Sequence, residues 1–449
     1  MTNKDSKQGT IKSDKKVIPR KYLLPFILVT SCFALWGFAN DITNPLVKAF
    51  SRVLMMSNFQ GSLVQFAFYG GYFAMAFPAA MFIKKFSYKS GLLVGLGLYA
   101  TGALLFIPAS MIQVFGLFLI AYFILTCGLS FLETTSNPYI LSMGPEETST
   151  QRLNFAQAFN PIGSLTGMFI AQQLILAKLH PATASERAAM ASAKLKEVTT
   201  NDLAVIRTPY VFMAFILIAV LILVAITKMP GHGDKNKHLN LKPTLKRLFS
   251  NQRYLHGVIA QFFYVAAQIM CWTFIIHYGT EVFTSPEFGM SVAKAEVLSQ
   301  KYNIVAMGIF TVSRFINTFL LKYFRPGKLL MNLAIGAITL TLGTIIIPGI
   351  VGLYCLVGIS ACMSLMFPTI YGIALKGLGE DAKIGAAGLI MAILGGSVMP
   401  PMQGAIIDLG QVGPLSGVRA SFVLTLLCFI VITHYGFKTY HQYIELEHG

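Results

Sequence analysis

The chain has 449 residues, of which 55% are hydrophobic and 12% are charged. A typical soluble domain carries about 25% charged residues, so this composition excludes an ordinary water-soluble globular protein. The formal net charge of +17 does not indicate nucleic-acid binding, because the basic residues lie in short segments between long apolar runs. We therefore expect a lipid bilayer as the surroundings of this chain and no nucleic acid as a partner.

Twelve apolar runs are long enough to cross a membrane, since about 20 helical residues span about 30 Å of hydrocarbon. Helices are expected because hydrocarbon offers no partner for unpaired backbone groups. The predicted spans are residues 22–47, 59–83, 90–110, 112–143, 153–178, 209–228, 254–279, 302–321, 328–348, 350–375, 383–407 and 418–437.

A weak internal repeat divides these spans into two halves. Matching features recur at offsets of 233 to 238 residues: Trp36 with Trp272, the basic turn 84–89 with 322–328, and Gly163-Ser164 with Gly396-Ser397. Parallel halves of this kind place a substrate near mid-membrane between them. The predicted fold class is an all-α polytopic membrane protein with twelve transmembrane helices in two pseudo-symmetric six-helix bundles.

The longest polar segment between spans separates the two halves and sets the predicted domain boundaries. These are a cytoplasmic N-terminal tail over 1–21, an N-terminal bundle over 22–228, a cytoplasmic linker over 229–253, a C-terminal bundle over 254–437 and a cytoplasmic C-terminal tail over 438–449.

The positions of the basic residues predict the orientation. With the N-terminus in the cytoplasm, 24 of the 35 Lys and Arg residues fall on the inner side, ten fall outside and Arg314 lies within a span. Inner loops of membrane proteins carry such an excess. We therefore expect a multi-pass protein of a bacterial inner membrane with both termini in the cytoplasm.

Glu133 is the main candidate for chemistry, because a charge in the middle of a span costs about 2.5–3.5 kcal/mol. It lies 12 residues from the inner turn at Pro145, roughly 18 Å along a helix. Asn137 lies one turn away on the same face. The functional hypothesis is a carboxyl group that binds and releases a coupled proton. The alternative is a structural carboxylic acid that is permanently protonated or hydrogen-bonded to a neighbouring helix.

Asp41 is the second candidate for proton coupling. Asn40 and Asn44 lie beside it in the first span, and Asn44 is three residues from Asp41 and four from Asn40. Such spacings place side chains next to each other on a helix, which gives a polar patch with substrate-binding potential. In the alternative, Pro45 ends the membrane portion of the helix and Asp41 is interfacial.

Amide side chains on two further spans suit a sugar, because amides donate and accept hydrogen bonds and an aromatic ring stacks on a pyranose. One helical face of the fifth span carries Asn154, Gln157, Asn160 and Ser164, and the seventh carries Gln261, Tyr264, Gln268 and Trp272. We expect Asn137, Gln157, Asn160 and the span-seven set to bind substrate. The competing interpretation is hydrogen bonding between helices.

Charged residues near the inner face are candidates for gating. The acidic turns Glu146-Glu147 and Glu380-Asp381 face the basic turns, so ion pairs there would hold an inner gate shut; solvated loop charge is the alternative. Arg314 lies eight residues from the inner turn of its span. We expect Arg314 to brace the inner ends of helices rather than to touch substrate.

Other classes of function find little support. The eight histidines are scattered and no loop presents a catalytic set, which argues against a membrane enzyme, a catalytic residue or a bound metal. All six cysteines lie within predicted spans and suit small apolar packing positions. No cofactor is expected. A channel or a non-transporting solute sensor remains as an alternative to a carrier.

The sequence resembles the L-fucose–proton symporter family of the major facilitator superfamily over almost its whole length. The motifs that carry this resemblance are Trp36-Gly37-Phe38-Ala39-Asn40, Phe86-Ser87-Tyr88-Lys89-Ser90-Gly91, Leu132-Glu133-Thr134 with Asn137-Pro138, Gly144-Pro145-Glu146, Arg152 to Asn160, Ala260-Gln261-Phe262, Cys271-Trp272 and Phe367-Pro368-Thr369-Ile370.

The resemblance implies the major facilitator fold and proton-driven uptake of a hexose. We expect a monomer. The resemblance also implies that Glu133 corresponds to the glutamate of the fourth span used in recognition and coupling, and that Gln157 and Asn160 fall on cavity positions. The family has an aspartate where this sequence has Asn44. Either Asp41 takes over that role, or coupling differs here, with Na⁺ symport and uniport as alternatives. The sugar is L-fucose or a relative such as glucose, galactose or an amino sugar.

Overall fold

A computed structural model describes residues 17–55, 58–182, 184–229 and 241–448. Residues 1–16 of the predicted tail and 230–240 of the predicted linker lie outside this range, as does the side chain of Asn44. Nearly all described residues are helical.

Within the described residues, twelve helical spans run in alternating directions. Both ends of the described chain therefore lie on one face, which we call the terminal face. We call the other face the opposite face. The bounds are span 1, Leu23–Val53; span 2, Asn58–Lys85; span 3, Tyr88–Leu104 with Phe106–Ile112; span 4, Phe115–Ser142; span 5, Ser149–Gln157, Asn160–Ile170 and a π-helical Ala171–Leu176; span 6, Ser192–Ile226; span 7, Gln252–Thr284; span 8, Val292–Leu320; span 9, Pro326–Ile346; span 10, Gly349–Met363 and Met366–Leu375; span 11, Ala382–Met391, Ala392–Leu394 and Gly395–Asp408; span 12, Gly417–His448.

Short elements connect the spans. They are 3₁₀ turns at Arg20–Tyr22, Glu146–Thr148 and Gly379–Asp381, helices at Ala184–Ala188 and Leu241–Ser250, and strands Gln411–Val412 and Leu415–Ser416, which pair antiparallel. Ten stretches in the described residues are long and apolar enough to cross a membrane. Span 5 is divided into shorter pieces, and span 1 continues through Pro45 to Val53, so that proline does not end the helix.

Glycines bring main chains into contact at equivalent places in the two halves. A Cβ added at Gly163 of span 5 would overlap the carbonyl oxygen of Ala34 in span 1. A Cβ added at Gly395 of span 11 would overlap the carbonyl oxygen of Phe262 in span 7. Small residues allow such close helix packing in membranes. The same pair of helices in each half is therefore joined by a glycine contact, close to the repeat seen in the sequence.

We predict that Gly163→Ala destabilises the protein by about 1–3 kcal/mol, the usual cost of overpacking, because the new methyl group meets a main-chain oxygen that cannot rotate away. Gly97→Ala is the control, since its Cβ would lie 3.8 Å from Leu221 Cδ1 and would meet nothing closer. Thermal unfolding of the purified protein in detergent measures both. Equal melting temperatures for the two variants would contradict the prediction.

A buried ion pair fixes the connection between spans 5 and 6 on the opposite face. Arg187 Nη2 lies 2.5 Å from Asp202 Oδ2, and the two side chains are 0% and 4% exposed. Arg187 also donates to the carbonyls of Ala182 and His180, and the main-chain N–H of His180 donates to Asp202 Oδ1. This arrangement, which sequence analysis missed, ties the loop to the start of span 6.

The buried core shows where the two halves meet. The core of the N-terminal half includes side chains from the terminal-face parts of spans 7, 10 and 11, among them Tyr254, Tyr371, Ile384 and Leu389. Most of the other buried side chains of the C-terminal half form a core of their own, and Leu321, Leu329 and Leu365 form a small third cluster. The halves are therefore packed together on the terminal face.

Candidate functional site

Contacts between the halves close the terminal face. Among the described residues, the main pairings are span 2 and span 4 with span 11, and span 5 with spans 8 and 10, through the terminal-face or middle parts of these helices. Asn154 Nδ2 of span 5 donates to Thr369 Oγ1 of span 10 at 3.1 Å, and both residues are fully buried. A solute bound between the halves would thus be reached from the opposite face.

Glu133 lies buried in span 4, with 7% of its surface exposed. Its Oε2 has no hydrogen-bond partner among the described residues. The hydroxyls of Tyr72 in span 2 and Tyr371 in span 10 lie close enough to interact electrostatically with Glu133. Since Tyr371 belongs to the other half, Glu133 lies near the interface where the halves meet.

A chain of hydrogen bonds connects Glu133 to span 5. Gln157 Nε2 donates to Asn137 Oδ1 at 2.8 Å, and Asn137 Nδ2 donates to the main-chain oxygen of Glu133 at 3.0 Å. The structure thus brings together three residues that the sequence singled out. These bonds orient Asn137 and leave the Glu133 carboxyl oxygen unpaired.

An unpaired carboxyl oxygen has a clear chemical meaning at this depth. A buried charge without a partner is costly, and the cost falls when the group is protonated or hydrogen-bonded. The carboxyl group can therefore hold a proton, or accept a hydrogen bond from a polar solute such as a sugar hydroxyl. Both are steps that a proton-coupled carrier needs.

Asp41 lies at a separate place between spans 1, 2 and 5. The Ser164 hydroxyl, which donates to Gly37 O at 3.3 Å, lies close to its carboxylate, and the Tyr69 hydroxyl lies within electrostatic range. Oδ1 of the adjacent Asn40 is buried and unpaired within the described residues. Asp41 and Glu133 therefore have different neighbours.

Asn160 and the polar residues of span 7 serve partly as contacts between helices. Asn160 Nδ2 donates to Phe33 O in span 1 at 3.2 Å. Tyr264 is fully buried and donates to Met363 O, and Trp272 Nε1 donates to Ser360 Oγ at 3.3 Å. Gln268 is half-buried. These tyrosine and tryptophan side chains support span 10 in the present arrangement.

Gln261 differs from its neighbours on span 7. It is fully buried, and neither its amide nitrogen nor its amide oxygen has a partner among the described residues. Buried amides are normally hydrogen-bonded. The side chain therefore has unused capacity to bind a polar solute or an ordered water molecule.

The acidic turns on the terminal face lie beside basic residues. Glu146 is exposed and lines a cavity of about 620 Å³ together with basic residues of the other half: Arg253, Lys322, Arg325 and Lys376. At the second acidic turn, Glu380-Asp381, Asp381 makes an ion pair at 2.7 Å with Arg247 of the linker helix. The hydrogen bond from Arg247 to Asp381 raises the pKa of the Arg247 guanidinium above its usual value, so the arginine remains charged.

The helix in the linker joins the halves through one threonine. Lys84 Nζ of span 2 donates to Thr244 Oγ1 at 3.5 Å, and Thr244 Oγ1 donates to Asp381 Oδ1 at 3.1 Å. Thr244 is 1% exposed. This contact could not be predicted from the sequence, because only the fold brings the linker next to the ends of spans 2 and 11.

Arg314 is buried in span 8 and bonds to main-chain oxygens. Its Nε donates to Ser364 O at 2.5 Å, and its Nη1 donates to Gln157 O at 3.0 Å. The guanidinium also lies over the Phe310 ring, 4.6 Å from the centroid. Arg314 therefore contacts both halves and not only the helix ends of its own.

Comparison with known proteins assigns the family. The family model of the Major Facilitator Superfamily matches residues 29–400. The chain belongs to this superfamily. It is 50% identical to the L-fucose-proton symporter of Haemophilus influenzae, over 95% of this chain and 98% of that protein. It is 31% identical to the glucose/galactose transporter of Brucella abortus, over 93% of this chain and 94% of that protein.

The structure agrees with this assignment. It matches a crystal structure of the transporter FucP in the outward conformation, with a TM-score of 0.85 and 35% sequence identity, over 94% of this chain and 99% of that chain. The predicted fold class of twelve helices in two bundles is confirmed, as is the resemblance to the L-fucose–proton symporters. The family consists of transporters, which also confirms that the chain is not an enzyme.

Proposed function

We propose that this protein imports a hexose by proton symport with alternating access. The observation that carries the proposal is the Glu133 carboxyl oxygen, unpaired among the described residues and buried near the interface between two halves whose main contacts lie toward the terminal face. Such a group can bind a proton or a sugar hydroxyl that enters from the opposite face. Relatives that cover almost the whole chain and are named sugar transporters support this assignment.

L-Fucose is the proposed substrate, since the relative at 50% identity is named an L-fucose-proton symporter. Glucose and galactose are the comparison sugars, because a relative at 31% identity is named for them. Gln261 and Asn40 supply unpaired amide groups for sugar hydroxyls. Gln157, Asn137 and Asn160 complete the polar lining, and we assign Gln268 and Trp272 to the same cavity in the other half.

The terminal face is the cytoplasmic face in this proposal, and the membrane is a bacterial inner membrane. The excess of Lys and Arg on that face supports the orientation. The state described here, in which the halves are packed together on the terminal face, is then outward-facing, like the FucP crystal structure in the outward conformation. We propose a monomer, with Glu146, Arg314 and the Glu380-Asp381 turn acting at the inner gate.

A panel of sugars tests substrate and co-ion together. De-energised cells that express the protein receive L-fucose, glucose, galactose or an amino sugar, and the external pH is recorded. We expect L-fucose to cause the largest alkalinisation, because protons enter with the sugar. Sugar uptake without alkalinisation would refute proton symport, and a response to glucose or galactose alone would refute L-fucose as the substrate.

The role of Asp41 is tested by Asp41→Asn, which keeps the shape of the side chain and removes its ionisation. Since the family aspartate is replaced by Asn44 here, we expect this variant to shift the pH dependence of uptake and to reduce accumulation. Ser164→Ala is the matched variant, because it removes the hydroxyl close to Asp41 but leaves the carboxyl group. An unchanged pH profile for Asp41→Asn would assign this residue a structural role.

A further inference from the structure

The two carbonyl acceptors of Arg314 share one property that the gate assignment does not explain. Ser364 O and Gln157 O both lie at breaks in helices: span 10 is interrupted between Met363 and Met366, and span 5 is interrupted between Gln157 and Asn160. In an uninterrupted helix these oxygens would accept the N–H of the residue four positions later.

Both of those later positions are proline. Residue 368, four after Ser364, is Pro368, and residue 161, four after Gln157, is Pro161. Proline has no N–H and cannot supply the helical hydrogen bond. Each proline therefore removes the normal donor from a carbonyl oxygen, and Arg314 donates to the same oxygen instead.

We propose that Pro161 and Pro368 are positioning residues of the transport cycle. Together with Arg314 they form a proline clasp: Pro368 provides an acceptor that fixes the guanidinium to its own half, and Pro161 provides an acceptor that fixes it to the other half. The clasp is closed in the present state and must open when the terminal face opens, since Gln157 and Arg314 then move apart with their halves.

The clasp also adjoins the proposed proton site. The main-chain oxygen of Gln157 accepts a hydrogen bond from Arg314, and the side chain of Gln157 donates one to Asn137. Asn137 in turn donates to the main-chain oxygen of Glu133. A second hydrogen bond between the halves, from Asn154 to Thr369, joins spans 5 and 10, the two spans that carry the prolines of the clasp. The buried position of Arg314, at 3% exposure, keeps water from competing for these acceptors.

Restoring the missing donor tests the clasp. Pro161→Ala introduces an N–H that can reach Gln157 O and compete with Arg314 Nη1. Pro78→Ala is the control, since Pro78 is an exposed proline inside span 2 that takes no part in the clasp. Hydrogen exchange of the full-length protein in detergent measures the terminal-face ends of spans 10 and 11, Met366–Leu375 and Ala382–Met391.

We expect about tenfold faster hydrogen exchange in these two segments for Pro161→Ala, because the hydrogen bond from the charged Arg314 to Gln157 O is weakened. We expect no change for Pro78→Ala. In an Arg314→Gln background, Pro161→Ala is expected to add nothing further. Equal exchange in Pro161→Ala and Pro78→Ala, or full additivity with Arg314→Gln, would overturn the clasp.

This inference rests on the alternating access of the proposed function, but exchange is measured without transport, so the two can fail separately. If Pro161→Ala does not fold, as judged by its thermal unfolding, Pro161→Gly restores the same N–H and replaces it. Pro368→Ala is the corresponding variant for the acceptor at Ser364, and faster exchange in Met366–Leu375 is expected from it as well.

Discussion

Replacing Glu133 by Gln is expected to reduce the accumulation of sugar to equilibrium, so that the internal concentration no longer exceeds the external one. Glutamine keeps the size and much of the hydrogen-bonding ability of the side chain but cannot exchange a proton. Without a titratable group at this position, a pH gradient cannot drive the sugar uphill. Exchange of sugar across the membrane without net proton movement is expected to persist.

Membrane vesicles with an imposed pH gradient measure accumulation of labelled sugar, and counterflow between preloaded and external sugar measures exchange. Glu197→Gln is the matched control, since Glu197 is exposed near the start of span 6, on a different helix from Glu133. Full accumulation by Glu133→Gln would remove the proposed coupling role. Loss of counterflow together with accumulation would assign Glu133 to sugar binding instead.

Removal of one member of the Arg187–Asp202 pair is expected to cause a larger loss of stability than Gly163→Ala. Truncating one partner of a buried ion pair costs about 3–5 kcal/mol, because the other charge is left buried without compensation. In Arg187→Ala, the Asp202 carboxylate loses its cation, and the carbonyls of Ala182 and His180 lose a donor.

Thermal unfolding in detergent compares Arg187→Ala with Lys194→Ala, an exposed basic residue close to the same connection. We expect a clear fall in melting temperature for the first variant and no change for the second. A combined Arg187→Met and Asp202→Leu variant is expected to recover part of the stability, since buried pairs are often replaceable by apolar residues. A melting temperature of Arg187→Ala equal to that of Lys194→Ala would contradict the prediction.

Much of the architecture was predictable from the sequence because a bilayer restricts a chain to few solutions. Long apolar runs have to be helices, and the repeat around Trp36 and Trp272 pointed to two similar halves. Single charges in apolar helices are rare, so Glu133 stood out without any knowledge of its neighbours. Helical spacing then placed Asn137 beside it, and the structure adds Gln157 to the same hydrogen-bonded chain.

Contacts between different helices were harder to predict, because the identity of the facing residue depends on how the helices pack. The sequence pointed to the turn Glu380-Asp381 for an ion pair but not to its partner, since Asp381 meets Arg247 of the linker helix. Tyr264 lay on a polar stripe that suited a sugar, but it is fully buried and bonds to Met363 O.

Hydrogen bonds to main-chain atoms were the hardest contacts to predict from the sequence. Arg314 was expected to brace helix ends, yet its acceptors are carbonyl oxygens at helix breaks, which carry no side-chain signal. The available signal was indirect: Pro161 and Pro368 each imply a carbonyl without its usual donor. Which cation uses that carbonyl becomes visible only when spans 5, 8 and 10 are placed together.

The glycine contacts at Gly163 and Gly395 constrain how such a carrier can change shape. Where two backbones touch without intervening side chains, neither helix can slip along the other without a collision. We therefore expect spans 1 and 5 to move together as one rigid unit, and spans 7 and 11 as another. Binding energy from the sugar would then tilt one unit against the other instead of deforming either of them.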